Sequence, residues 1–138
     1  MRLMRGLLCA AVLCLGGSAA VAADIVALEA DATWPTSVPG GFNEGACTVV
    51  NLTHGDVRVR LTVLVTYADG SVTRLTNLGP SIFLGPDMAF QLNVLFIVPS
   101  DAALGTATFQ CEAMALPLTD RGRPEREVAR ATFEVISP

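Results

Sequence analysis

The chain has no lysine, a single histidine, a single tryptophan and a single tyrosine, and only 16% of its residues are charged. With one histidine, His54, any Ser-His-Asp or Cys-His site would have to run through that residue. His54 lies in the polar turn Asn51-Leu52-Thr53-His54-Gly55-Asp56, where an exposed imidazole is the expectation. A blue-copper centre needs two histidines and a free cysteine, so the loose echo of such a ligand loop in Cys111-Glu112-Ala113-Met114 is short of ligands. Beyond the first 22 residues only Met88 and Met114 remain, too few for a methionine-based copper carrier. There is no glycine-rich phosphate loop and no zinc-type spacing, and Glu125 and Glu127 sit in a charged stretch that reads as solvated. The expectation is a protein that is not an enzyme, with no catalytic residue, cofactor or metal. The formal net charge of −4 leaves no electrostatic footprint for nucleic acid. Helical periodicity is missing from every segment longer than six residues, as are repeats and low-complexity tracts.

The N-terminus is the one place with a long apolar run. Arg2 and Arg5 precede Gly6 to Leu15, which is followed by the small-residue stretch Gly16 to Ala23. This is the layout of a cleaved secretory signal peptide, with a cut after Ala22 or Ala23. About ten apolar residues fall short of the roughly 20 needed to span a bilayer. The reading is therefore residues 1–22 as leader and 23–138 as one domain, periplasmic or extracellular, with no membrane insertion after cleavage. Nine arginines without a lysine suggest GC-rich codon usage and a bacterial source. Cys9 and Cys14 leave with the leader. Cys47 and Cys111 then remain in an oxidising compartment and are expected to form one disulfide.

What is present is period-two alternation. Val57, Val59, Leu61, Val63, Val65 and Tyr67 share one face, while Arg58, Arg60, Thr62 and Thr66 take the other with Leu64. Such a pattern, rich in β-branched residues, marks a long half-buried strand. Asp69-Gly70 then signals a two-residue hairpin pairing Tyr67 with Val72, Val65 with Arg74 and Leu64 with Leu75. Further strands are expected at Asp24 to Ala30, Ala46 to Leu52, Ser71 to Leu78, Met88 to Val98, Thr106 to Ala115 and Val128 to Ile136. Thr33 to Gly41 reads as loop, with Trp34 as a plug over one end of the core, and Ser81 to Leu84 reads as an apolar link. Seven strands without helices imply an all-β antiparallel sandwich.

Thr48-Val49-Val50-Asn51 leading into Val57 to Val63, Leu84-Gly85-Pro86 before the fifth strand, and Leu104 to Phe109 resemble the Ig-like and fibronectin-like modules of bacterial secreted proteins. The resemblance covers most of the mature chain and implies an inter-sheet Cys47–Cys111 bond. It departs from antibody-type domains in having no tryptophan on the long strand and Phe109, not tyrosine, two residues before Cys111.

The functional expectation is an exported binding or structural module whose partner is another protein or a cell-envelope component. The alternatives are a subunit of a pilus-type surface assembly and, less favoured, a periplasmic copper-binding sandwich. The sequence offers one interaction patch: Leu64 and Leu75 on the outer face of the long hairpin, rimmed by Thr62, Thr66 and Thr73.

Overall fold

In the computed structural model, residues 25–77, 81–118 and 122–138 are described; the expected leader over residues 1–22, with Ala23 and Asp24, lies outside them. Nine strands follow in order: β1 (Val26–Ala32), β2 (Thr36–Ser37), β3 (Phe42–Asn51), β4 (Val57–Thr66), β5 (Val72–Asn77), β6 (Ile82–Leu84), β7 (Ala89–Ile97), β8 (Gly105–Pro117) and β9 (Glu125–Val135). They form a three-stranded sheet, β1-β3-β7, and a larger sheet, β2-β9-β8-β4-β5, with β6 also paired to β4. The chain is an all-β sandwich. Among the described residues no helix is long and apolar enough to cross a membrane.

Alternation decides which face of each strand enters the core. On β4 every second residue from Val57 to Val65 is fully buried, and on β8 Ala107, Phe109, Cys111, Ala113 and Ala115 are likewise enclosed. A fully buried Val, Leu or Phe contributes about 1.5–3 kcal/mol, so a one-residue slip of either strand would expose its whole apolar set. Cys47 on β3 and Cys111 on β8 are bonded across the two sheets, with Cα atoms 5.9 Å apart. Beside this bond Phe96 stacks on Phe109 at 6.1 Å and tilts against Phe133 at 5.9 Å. Gly45 faces inward on β3, where a Cβ would collide with the Phe109 ring. The strand therefore omits a side chain where the opposite sheet inserts its largest one.

Two buried asparagines fasten the irregular segments. Asn51 donates to the carbonyls of Gly55, Leu84 and Gly85 and accepts from the Thr53 amide and hydroxyl, tying the β3–β4 turn to the end of β6. Its side chain is fully enclosed. Asn43 accepts from the Trp34 and Glu44 amides and donates to the Trp34 carbonyl. Burial pushes the Tyr67 phenol up from its ordinary value, and its hydroxyl meets no partner among the described residues.

The structure corrects several sequence expectations. There are nine strands among the described residues, not seven, and β2 runs parallel to β9 within the expected 33–41 loop. The Ser81 to Leu84 link holds β6, which continues the sheet edge beside β4. Strands of two and three residues carry no period to read. β3 begins at Phe42 and β9 at Glu125, earlier than expected, since Asn43 and Gly45 on β3 and Glu125 and Glu127 on β9 hold inward-phase positions without an apolar side chain and so hide the alternation.

The hairpin register also differs. Tyr67 pairs with Ser71 through a three-residue loop, the Gly70 amide returning to the Tyr67 carbonyl at 2.9 Å and Gly70 at φ 84°. A two-residue type I′ loop needs positive φ at both central residues, whereas Asp69 keeps negative φ and accepts from the Ser71 amide and hydroxyl. Those Ser71 contacts, the hydroxyl's first, lower the Asp69 carboxyl below its usual range. Near the turn, Val65 faces Thr73 and Leu64 faces Arg74; a bulge at Leu75 restores the expected register at Val63 and Thr76.

Two outcomes test this packing. Thiol labelling of denatured, unreduced protein should find Cys47 and Cys111 blocked, and replacing both by Ala should cost roughly 2–5 kcal/mol in chemical denaturation. Gly45→Ala should destabilise the domain by about 1–3 kcal/mol through overpacking against Phe109, although Ala normally suits a strand better than Gly.

Candidate functional site

Because alternation sends one face of each strand inward, the other face collects the polar residues. On the larger sheet the outer rows follow from the pairing. Arg60 lies opposite Met114 and Met114 opposite Arg126; Thr62 opposite Glu112 and Glu112 opposite Val128; Leu64 opposite Gln110 and Gln110 opposite Arg130; Thr66 opposite Thr108 and Thr108 opposite Thr132. At the edge, Arg74 flanks Leu64 and Phe83 flanks Arg58. Of the six arginines among the described residues, five (Arg58, Arg60, Arg74, Arg126 and Arg130) project from this one surface, and all five are exposed.

Among the described residues, the carboxylates on the strands of that surface are Glu112 and Glu134. Arg126 Nη2 pairs with Glu112 Oε1 at 2.7 Å, and Gln110 Nε2 donates to the same oxygen at 2.8 Å. Arg130 Nε donates to Gln110 Oε1 at 2.8 Å, completing an Arg130–Gln110–Glu112–Arg126 chain. Glu134 accepts from the Thr106 hydroxyl at 2.6 Å. Arg60, Thr62, Glu112, Met114 and Arg126 line a shallow depression of about 250 Å³. The opposite surface of the molecule carries Glu29, Asp31 and Glu44 on the outer face of the smaller sheet. The two outer faces thus differ in sign. A larger open groove of about 640 Å³ follows the seam where β1 meets β9, with Glu29, Asp31 and Arg130 in its lining.

The sequence-derived patch is only partly assembled. Thr62, Leu64 and Thr66 do share the outer face of β4. Leu75, in the bulge, packs against the core group that contains Val63 and Val65, and Thr73 lies opposite Val65 on the inner face. Leu64 therefore has Arg74, not Leu75, as its neighbour. Trp34 is 41% exposed instead of plugging the core. His54 is exposed, and Cys111, held in the disulfide, has no free thiolate to offer copper. Among the described residues no group of three or more His, Cys, Asp or Glu side chains could hold a metal ion.

Sequence reading passed over the arginine face because Arg58 and Arg60 are 66 or more positions from Arg126 and Arg130 and meet them only through the strand order β4-β8-β9. The available signal was that Arg126 and Arg130 fall in the outward phase of β9, alternating with the inward Ala129, Ala131, Phe133 and Val135.

No family model and no curated protein matches the chain. Solved structures do match. A CARDB domain from Pyrococcus furiosus, in complex with di-metal ions, is 16% identical over 82% of this chain and 90% of that one, with a TM-score of 0.52. A family 123 glycoside hydrolase from Clostridium perfringens is 10% identical over 83% of this chain, with a TM-score of 0.57. An alkylpurine DNA glycosylase of Pseudomonas fluorescens, bound to DNA containing an abasic site analog, is 12% identical over 80%, with a TM-score of 0.54. The chain spans only 28% and 30% of the latter two. At these identities the likeness is one of fold alone.

The revised placement of the two leucines gives a test. Leu75→Ser should cost about 1–3 kcal/mol, because it puts a hydroxyl against the core. Leu64→Ser should cost no more than about 1 kcal/mol, the worth of a cross-strand surface pair. Thermal melts of the two single variants compare them directly.

Proposed function

We propose that the chain is an exported, non-catalytic Ig-like binding module that docks through the outer face of its larger sheet onto an anionic protein or cell-envelope component. The observation that carries this reading is the concentration of Arg58, Arg60, Arg74, Arg126 and Arg130 on one sheet face of a chain whose formal net charge is −4. Guanidinium groups fit carboxylate and phosphate oxygens bidentately and shed water more readily than ammonium groups. An open sheet face, with the threonine row Thr66, Thr108 and Thr132 beside the arginines, suits an extended anionic surface better than an enclosed small molecule. Secretion is supported by the leader-like N-terminus and by the disulfide.

The runner-up, a subunit of a surface assembly, draws on a different feature, the free edge at β7 treated below. Binding of the mature domain to immobilised polygalacturonate and to phosphatidylglycerol vesicles tests the first reading. At least one of these probes should bind, more weakly as salt rises. The triple variant Arg58→Glu, Arg60→Glu, Arg74→Glu should lose roughly tenfold or more in affinity with its melting temperature little changed. Equal binding by the folded variant, or no binding by the parent domain, contradicts the reading.

A further inference from the structure

We propose that β7 is a strand-pairing edge and that its occupant is a second copy of this chain, joined antiparallel about a twofold axis. The proposal is independent of the arginine face. Among the described residues β7 pairs with β3 and with nothing else. An unpaired edge presents a row of backbone donors and acceptors, and proteins normally guard it with charge, proline, a bulge or brevity.

The other edges of this sandwich carry such guards. β1 bears Glu29 and Asp31 and lies along β9. β2 and β6 have two and three residues, and β5 has Arg74 and a bulge. By contrast, β7 is nine residues long and reads Ala-Phe-Gln-Leu-Asn-Val-Leu-Phe-Ile, with no charge, no proline and no shift of register against β3. Its outer face exposes Leu95 (64%) and Ile97 (61%), with Phe42 (57%) opposite Ile97 on β3. Its inner face leaves Phe90, Leu92 and Val94 only half-buried.

A second copy supplies a free edge of the same length and chemistry. Twofold pairing centred on Asn93 sets Gln91 against Leu95 and Ala89 against Ile97 on the outer face. On the inner face it sets Leu92 against Val94 and Phe90 against Phe96. No like charges meet across the axis, and the half-buried inner side chains gain cover. The three-stranded sheets of the two copies become one of six strands, which ends at each guarded β1. The contact is therefore isologous and closes at a dimer. The strip is ~30 Å long and one sheet (~10 Å) wide, on the order of 300 Å² before flanking side chains. That is below the about 800 Å² per partner of a standard interface, so the dimer should be reversible.

Sedimentation equilibrium of the mature, disulfide-bonded domain reads this directly. The parent protein should show a monomer–dimer equilibrium. Leu95→Lys, on an exposed side chain, should keep its melting temperature and raise the dimer dissociation constant roughly tenfold or more. Adding Gln91→Glu, which lies opposite Leu95 of the second copy in this register, should restore the dimer. Thr132→Lys, on the other sheet, should leave it unchanged. A parent domain that stays monomeric, an open-ended polymer, a dimer indifferent to Leu95→Lys, or a failed rescue overturns the proposal.

Discussion

The sandwich depends on one contact between its sheets, where β3 meets β8. There the Cys47–Cys111 bond joins the layers and the Phe109 ring fills the space left by Gly45. The covalent link constrains the unfolded chain, while the ring, stacked on Phe96, fills the folded interior. The two devices set the spacing of the sheets at the same place. Once that spacing is fixed, each strand has one face committed to the core, and the charged side chains of β4 and β8 leave by the other.

The charge pattern follows from this partition and from strand order. β4, β8 and β9 lie side by side in the larger sheet, so Arg58, Arg60, Arg126 and Arg130 gather on its outside, joined by Arg74 from β5. β1 and β3 lie in the smaller sheet and carry Glu29, Asp31 and Glu44 to the opposite side. An acidic chain thereby acquires a basic face. The Arg126–Glu112 pair, on the surface, adds little stability; its role in the proposed docking is to hold one guanidinium in place beside the shallow depression.

Much of the architecture was legible because β4, β7 and β8 alternate cleanly enough to mark both strand and inward face, and because two cysteines fall in the inward phase. Legibility stopped where the deciding fact was not periodic. Asp69-Gly70 suggests a two-residue loop, but Asp69 binds Ser71 instead of taking positive φ, and the register moved by one until the Leu75 bulge restored it. That shift turned Leu75 and Thr73 inward and dissolved the pairing on which the sequence-derived patch rested. The arginine face and the unguarded β7 edge require knowing which strands are neighbours, and no local pattern encodes neighbourhood.

In the proposed function the two outer faces have different work, and binding belongs to the arginine-bearing one. Chemical-shift mapping of the mature domain during titration with polygalacturonate addresses it most directly. The shifted amides should trace the outward residues of β4, β8 and β9 around Arg60, Met114 and Arg126, while the outer face of β1 and β3 stays unmoved. Shifts centred on Glu29, Asp31 and Glu44, or spread evenly over both sheets, would contradict it.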